Sequence, residues 1–304
     1  METRRQFLRG AGASLLAAMP PLAFAKTTIG IGASTLTSLS DGNLVLPAGF
    51  FFDGLPKDEL LPILRAHDVP TDQLVPPCNV TLLRDGTRTV LFDVGAGPGF
   101  MSSAGKLLDS LDAVDVAPEE VTHVVFTHAH PDHLWGVLDD FDDPVFTEAA
   151  YMIGQVEWDY WRNPETVNTI GDARASFAVG AARRLEAIAD RITLITADQE
   201  ILPGVAAVAS YGHTPGHLSF EIRAGTEAVL VGGDAIGNHH VAFARPDWGS
   251  GADQDPALGA KTRQRLLDKL AQEQMTLIGF HLPGGGIGRV ERQGDAYRFV
   301  TEEM

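Results

Sequence analysis

Cysteine is almost absent from the sequence, since Cys78 is the single thiol among 304 residues. One cysteine cannot form a disulfide within the chain, so the fold has to be stable without cross-links. No base lies near Cys78 in the sequence, and an unactivated thiol is a poor nucleophile. We therefore expect Cys78 to be a buried structural residue.

Basic residues and long hydrophobic runs are also scarce. The chain has 23 Lys and Arg against 40 Asp and Glu, a formal net charge of −17, which disfavours nucleic acid as a partner. No apolar run approaches the roughly 20 residues of a membrane-spanning helix. There is no GxSxG nucleophile elbow, no GxxxxGK[ST] phosphate loop and no dinucleotide-binding glycine fingerprint. The chemistry has to come from another set of residues.

The first 25 residues have the order of an export signal. Arg4 and Arg5 precede a short apolar stretch that ends in a small-residue cleavage site at Ala25. The arginine pair predicts a Tat-type signal over residues 1–25 and a periplasmic or secreted protein. Its removal takes away three arginines and one glutamate, so the mature chain would be more acidic still. Because no composition break follows, we expect residues 26–304 to form a single domain.

Short β-branched or aliphatic runs alternate with turns and helical patterns, which predicts an α/β fold. The helical patterns are clearest over 172–190 and 256–274, and Pro256 suits the first turn of the second. The expected strands are 79–83, 89–93, 122–126, 192–195, 205–209, 228–231 and 275–280. The aromatic-rich stretch 157–168 lies between these elements and predicts a capping segment or a loop over a cleft, although Trp158, Tyr160 and Trp161 can equally be packing residues.

The segment FTHAHPDHLWG, residues 126–136, concentrates potential metal ligands. His128 and His130 are two residues apart and can face the same way, while Asp132 and His133 follow on a turn started by Pro131. Imidazole nitrogens and carboxylate oxygens suit zinc and its first-row neighbours. One ion cannot comfortably take four ligands from so short a loop. We expect His128 and His130 to serve one ion, and Asp132 and His133 a second.

Three more candidate ligands follow other predicted strands. His213 comes after 205–209, Asp234 after 228–231, and His281 after 275–280. In α/β sheets, loops that follow the strands converge at one edge, where ligand sites lie. The sequence therefore predicts a metal site at that edge, made by residues that are far apart along the chain.

The combination of His128-x-His130-x-Asp132-His133 with His213, Asp234 and His281 resembles the metallo-β-lactamase superfamily in its dinuclear form. The resemblance covers most of residues 35–302 and implies a four-layer αββα sandwich. It implies that His128, His130 and His213 hold the first ion, that Asp132, His133 and His281 hold the second, and that Asp234 bridges them.

Within this superfamily the chain resembles the methyl parathion hydrolase and lactonase-like branch. SLSDGNLVLP near the start, EWDYW at 157–161, HTPGH at 213–217 and GGIGRVERQGDAYRFV at the end carry that likeness. It implies that Trp161 packs against substrate in the pocket. A similar strand-end aspartate in the superfamily supports Asp93 as the residue that fixes the tautomer of a ligand histidine.

Two divalent ions that share a water would make a hydroxide available near neutral pH. We expect a hydrolase in which this bridging hydroxide attacks a lactone, an aryl ester or an organophosphate triester, and in which Asp132 passes a proton to the leaving group. Zinc is the expected ion, with manganese, iron and cobalt open. A small uncharged substrate suits the acidic surface. The sequence does not distinguish a monomer from a homodimer. The alternative is a non-hydrolytic di-metal protein of the same fold, either an iron-dependent redox enzyme or a metal binder.

Overall fold

The computed structural model describes residues 27–301, so the predicted signal at 1–25 lies outside the described residues. The strands, in chain order, are β1 (Thr27–Ile31), β2 (Ser34–Asn43), β3 (Leu46–Pro47), β4 (Gln73–Leu74), β5 (Pro77–Arg84), β6 (Thr89–Phe92), β7 (His123–Val125), β8 (Ala150–Gly154), β9 (Ile192–Ile195), β10 (Glu200–Leu202), β11 (Val205–Ala209), β12 (Leu218–Ala224), β13 (Glu227–Gly233), β14 (Thr276–Gly279), β15 (Ile287–Gln293) and β16 (Ala296–Thr301).

The helices lie mostly between these strands. They are α1 (Gly49–Phe52), α2 (Lys57–Ala66), α3 (Leu107–Asp112), α4 (Pro131–Leu134), α5 (Gln155–Arg162), α6 (Thr166–Thr169), α7 (Ala175–Ala187), α8 (Val241–Ala244) and α9 (Pro256–Glu273). Among residues 27–301, no helix has both the length and the apolar character needed to cross a membrane.

Two seven-stranded sheets make up the centre of the fold. The first has the order β1-β2-β5-β6-β7-β8-β9, and the second runs in chain order from β10 to β16. Strands β6 to β9 are parallel to one another, and β13 is parallel to β14. Parallel neighbours end at the same edge of a sheet, so the loops that follow them meet there. The candidate site lies at this edge.

The sheets pack face to face, and helices cover their outer faces. Between the sheets, Phe92 of β6 lies against Phe220 of β12, with ring centroids 5.3 Å apart. Outside the first sheet, α3, α5 and α7 bury side chains such as Leu185 against it. Outside the second, Leu266 and Leu270 of α9 pack in a separate cluster. This arrangement confirms the predicted four-layer αββα sandwich.

All seven predicted strands are present, and the two predicted helices correspond to α7 and α9. Helix α9 begins at the expected Pro256, where Asp255 Oδ1 accepts a hydrogen bond from the backbone N–H of Leu258 at 2.9 Å. The expectation of a loop over 157–168 was wrong in part, because α5 and α6 occupy most of that stretch. The face of α5 that carries Trp161 packs against the outside of the first sheet, so the aromatic residues of this stretch belong to a packed helix.

Candidate metal centre

The seven predicted ligands come from four loops at one edge of the two sheets. The loop after β7 leads into the short helix α4 and supplies His128, His130, Asp132 and His133. The loops after β11, β13 and β14 supply the others, namely His213, Asp234 and His281. All seven side chains are buried. The structure therefore brings together every ligand that the sequence predicted.

Three imidazoles form the first group. His130 Nδ1 lies 3.0 Å from His128 Nε2 and 2.9 Å from His213 Nε2. One ligand atom from each of the three residues lies within 4.8 Å of the other two. Three imidazoles facing one point are a ligand set of the kind that zinc takes in catalytic sites.

The second group consists of Asp132, His133, Asp234 and His281, whose ligand atoms also lie within 4.8 Å of one another. His281 Nε2 is 3.3 Å from Asp132 Oδ2 and 3.3 Å from Asp234 Oδ2. His133 Nε2 is 3.2 Å from Asp234 Oδ1 and 3.5 Å from Asp132 Oδ2. Mixed nitrogen and oxygen ligands suit a first-row divalent cation.

Asp234 links the two groups. Its Oδ2 atom lies 3.3 Å from His213 Nε2 in the first group and 3.3 Å from His281 Nε2 in the second. A single carboxylate within reach of both sets can contact two ions at once. This is the position that the sequence predicted for a bridging residue.

Several polar atoms at this centre are buried without a hydrogen bond. Asp132 Oδ2, His133 Nε2 and Asp234 Oδ1 all have this character. Buried polar atoms in folded proteins nearly always have a partner, and a bound cation is one of the partners they can have. The donor set and these atoms fit a pair of divalent ions.

Charge is distributed unequally between the two groups. Burial lowers the pKa of His128 and of His130 well below the ordinary value, and neighbouring imidazoles lower it further, which leaves both rings neutral. Burial raises the pKa of Asp234, but His281 and His133 outweigh it and hold that pKa well below its usual range. Burial lowers the pKa of His133, but Asp234 and Asp132 outweigh it and raise the pKa to about 10. The second group thus contains carboxylate charge that a cation can neutralise.

In four of the candidate ligand histidines, the Nδ1 atom, which faces away from the centre, has a polar partner. His133 Nδ1 lies 2.8 Å from Asp93 Oδ2, in the position predicted for Asp93. The other three outer contacts are His128 Nδ1 to Thr127 Oγ1 at 3.0 Å, His213 Nδ1 to Asp253 Oδ1 at 3.2 Å, and His281 Nδ1 to the Pro77 carbonyl at 2.7 Å. Such contacts orient a histidine and set its tautomer. The sequence carried no signal for Asp253 or Pro77, because neither belongs to a motif.

His217 supports the loop that presents Asp234. Its Nε2 atom accepts a hydrogen bond from the Asp234 backbone N–H at 3.0 Å, and its Nδ1 atom lies 2.7 Å from Ser210 Oγ. Gly233 precedes Asp234 with a φ of 54°, and a Cβ there would lie 2.6 Å from His217 Nε2. A glycine is therefore required for the imidazole to reach the backbone.

A pocket opens over the two groups. Its walls are mainly apolar, with two guanidinium groups among them. The lining includes Leu44, Leu46, Phe50, Phe51, Phe100, Phe177, Arg174 and Arg263. An apolar pocket with a few polar groups suits a small organic molecule.

The structure differs from the prediction for Trp161. Its side chain is 1% exposed, and it is not among the residues that line the cavity. The indole lies behind His130, with ring centroids 5.7 Å apart, and its Nε1 atom donates to Glu157 Oε1 at 2.5 Å. A large ring that fills the space behind a ligand loop contributes packing, as the alternative reading of this aromatic stretch expected.

The fold and the centre together define a class, namely αββα proteins with a buried His and Asp centre between two sheet edges. A family model described as the metallo-beta-lactamase superfamily matches residues 74–281, and the chain belongs to that superfamily.

Similarity to individual proteins agrees with this assignment. Metallo-beta-lactamase domain-containing protein 1 of Xenopus laevis is 32% identical over 177 residues, which are 58% of this chain and 58% of that protein. The chain thus matches less than two thirds of the length of this relative. Two solved structures have nearly the same architecture. One is AidC, a dizinc quorum-quenching lactonase (24% identity, TM-score 0.86), and the other is the hydrolase AbOPH (26% identity, TM-score 0.84). Each alignment covers 92% of this chain and 98% of the other.

Proposed function

We propose that the protein is a hydrolase that uses two divalent metal ions, with zinc as the expected ion, to cleave a lactone, an aryl ester or an organophosphate triester. The observation that carries the proposal is the position of Asp234, which lies 3.3 Å from a histidine of each ligand group. A carboxylate shared between two groups indicates a pair of ions acting together. A pair of bound divalent ions would make a hydroxide available near neutral pH and would polarise the bond that is cut.

The chain's own residues take separate parts in this proposal. His128, His130 and His213 would hold one ion, while Asp132, His133 and His281 would hold the other, and Asp234 would contribute to both. Asp132 lies at the cavity wall, and we assign its carboxylate the transfer of a proton from the attacking water to the departing oxygen. No serine or cysteine nucleophile is required, and Cys78 is fully buried with a pKa that burial raises to about 12.

The cavity supports an uncharged substrate with an apolar part. Phe50, Phe100 and Phe177 offer ring surfaces that favour a hydrocarbon chain or an aryl group. Arg174 lies over the ring of Phe50, at 5.3 Å, and forms part of the same wall. A lactone is the first compound to test, because AidC, which shares the fold, is a lactonase.

Elemental analysis combined with a panel of lactones, aryl esters and phosphotriesters tests the proposal. We expect about two zinc-like ions per chain, and we expect Asp234→Ala to reduce both metal content and turnover, the latter by at least about 100-fold. Asp190→Ala, which removes a carboxylate from an exposed position, is the control and keeps both. Iron with oxygen-dependent turnover and no hydrolysis across the panel would overturn the proposal in favour of a redox enzyme.

A further inference from the structure

Glu157 is a carboxylate in the interior that none of the assigned roles uses. It lies on α5, in the EWDYW segment, and its side chain is 0% exposed. Among residues 27–301 it forms no ion pair with a cationic side chain. Burying a carboxylate without a cation is costly, so its surroundings have to compensate.

The compensation consists of four hydrogen bonds. Glu157 Oε1 accepts from the Ala129 backbone N–H at 3.0 Å and from Trp161 Nε1 at 2.5 Å. Glu157 Oε2 accepts from Thr214 Oγ1 at 2.7 Å and from the Gly216 backbone N–H at 3.0 Å. Burial raises the pKa of Glu157, and these donors oppose that rise. Each oxygen thus has two donors and is fully occupied.

Three of the four donors belong to the two loops that carry the three-histidine group, and the fourth, Trp161, lies on α5 itself. Ala129 lies between His128 and His130, and Thr214 directly follows His213. His130 and His213 are 83 positions apart along the chain and come from different sheets. Glu157 is therefore a bridge between loops that have to be held in register for their imidazoles to meet.

Helix α5 also lies so close to the His213 loop that there is no room for a side chain at residue 216. A Cβ at Gly216 would lie 2.1 Å from the Glu157 backbone nitrogen, so a glycine at this position lets α5 lie directly against the loop. The indole of Trp161 lies against His130 from the same helix. Helix α5 thus contacts both loops at the point where the ligands leave them.

We infer that Glu157 is a positioning residue that holds the His128–His130 loop and the His213 loop at the spacing needed to bind a metal ion. The inference rests on the proposed function, because it takes the three histidines to be ligands. The loss of a residue that positions metal ligands by hydrogen bonds, without contacting the metal, typically weakens metal affinity by about 10- to 100-fold. The effect should fall on the ion of the three-histidine group.

The test is equilibrium binding of Zn²⁺ to the full chain, measured by competition with a chromophoric chelator, together with the visible absorption spectrum of the Co²⁺-loaded protein. In Glu157→Gln the amide NH₂ would face two of the four donors, so we expect one of the two ions to bind about 10- to 100-fold more weakly and its Co²⁺ bands to shift. The other ion should bind as in the wild type. Glu148→Gln, which removes a carboxylate from an exposed position, is the matched control and should change neither readout.

Two further variants keep the test decisive if Glu157→Gln does not fold. Trp161→Phe and Thr214→Val each remove one donor and leave the carboxylate in place, and we expect each to weaken the same ion by several-fold. Wild-type affinity for both ions in Glu157→Gln, with only a lower melting temperature, would overturn the inference and leave the proposed function intact. Absence of Zn²⁺ binding by the wild type would overturn both.

Discussion

Asp93 shows how much of the centre depends on one side chain. It follows β6 with a φ of 66°, a left-handed conformation that aspartate tolerates better than most residues. Its Oδ1 atom accepts from the Thr127 backbone N–H at 2.8 Å, and its Oδ2 atom accepts from Thr127 Oγ1 at 2.8 Å and contacts His133 Nδ1. The carboxylate therefore positions both the start of the ligand loop and one of its ligands.

We expect Asp93→Asn to weaken metal binding by about 10- to 100-fold with little change in secondary structure. Asparagine tolerates the left-handed backbone, but its NH₂ group would face a donor at Thr127 or at His133. Chelator competition measures the affinity, and circular dichroism measures the fold. Asp198→Asn is the control, because Asp198 is exposed and has a similar φ of 62°. Equal loss of affinity in both variants would contradict the role given to Asp93.

His240 makes a pH-dependent contribution to stability. Burial, together with His239 and His67 beside it, lowers its pKa from 6.5 to about 3. The unfolded chain takes up this proton near pH 6.5 and the folded chain only near pH 3, so stability is present above the first value and is lost as the pH falls towards the second. At about pH 4.5 the loss from this one group is roughly 2–3 kcal/mol.

We expect His240→Asn to lose less stability than the wild type between about pH 7.5 and pH 4.5. His240 Nδ1 accepts a hydrogen bond from the Val241 N–H at 2.9 Å at the start of α8, and asparagine can accept the same bond. Denaturant unfolding at the two pH values gives the change in the free energy of unfolding for each protein. An equal change in variant and wild type would show that His240 does not contribute.

At the scale of elements, α7 can lie close to the ligand loop because Gly180 has no side chain. A Cβ at Gly180 would lie 2.2 Å from Cζ2 of Trp135, the residue that follows α4. The indole cannot easily withdraw, because Arg184 lies over it at 4.2 Å and Phe100 packs at 5.5 Å. Helix α7 is thereby packed directly against the turn that carries Asp132 and His133.

We expect Gly180→Ala to reduce the free energy of unfolding by about 1–2 kcal/mol, even though alanine is the better helix former. Helix propensity alone predicts a gain of about 1 kcal/mol, so the sign of the change distinguishes the two effects. Val179→Ala, at an exposed position of the same helix, should stay within about 0.5 kcal/mol of the wild type. A stabilised Gly180→Ala would mean that Trp135 can move.

The strands that the sequence predicts and those that it does not predict differ in their content of apolar residues. Strands such as β11 and β13 are short apolar runs and were predicted, because they lie in the interior of the second sheet. Strand β2 was missed because STLTSLSDGN is rich in Ser and Thr and carries no apolar run, yet it is the pairing of this strand with β1 and β5 that gives it its extended form. Tertiary pairing decides such a strand, and one sequence does not display it.

The candidate site was easier to predict than the support around it. His128 to His133 form a dense motif, and His213, Asp234 and His281 each follow an apolar strand, so the residue type and its place were both visible. Asp253 and Glu157 reach the same centre from a loop and from a helix, and their roles depend on how the chain folds back. Only the three-dimensional arrangement shows them.

For the whole molecule, the centre joins the two sheets. The loop after β7 in the first sheet supplies four candidate ligands, and the loops after β11, β13 and β14 in the second sheet supply three. The second group brings Asp132 and Asp234 together from the two halves, so a cation held by both would link them. Bound ions would then stabilise the contact between the two halves of the sandwich in addition to supplying chemistry.

We therefore expect removal of metal by a chelator to lower the melting temperature of the whole domain in a single transition. A ligand present at 1,000 times its dissociation constant stabilises the folded state by about 4 kcal/mol, so the shift should grow with the concentration of added Zn²⁺. Differential scanning calorimetry with and without chelator measures it. Asp234→Ala is the control, since a chain that has lost the residue shared between the groups should respond little. A wild-type melting temperature that is the same in chelator and in excess Zn²⁺ would show that the two sheets hold together independently of the centre.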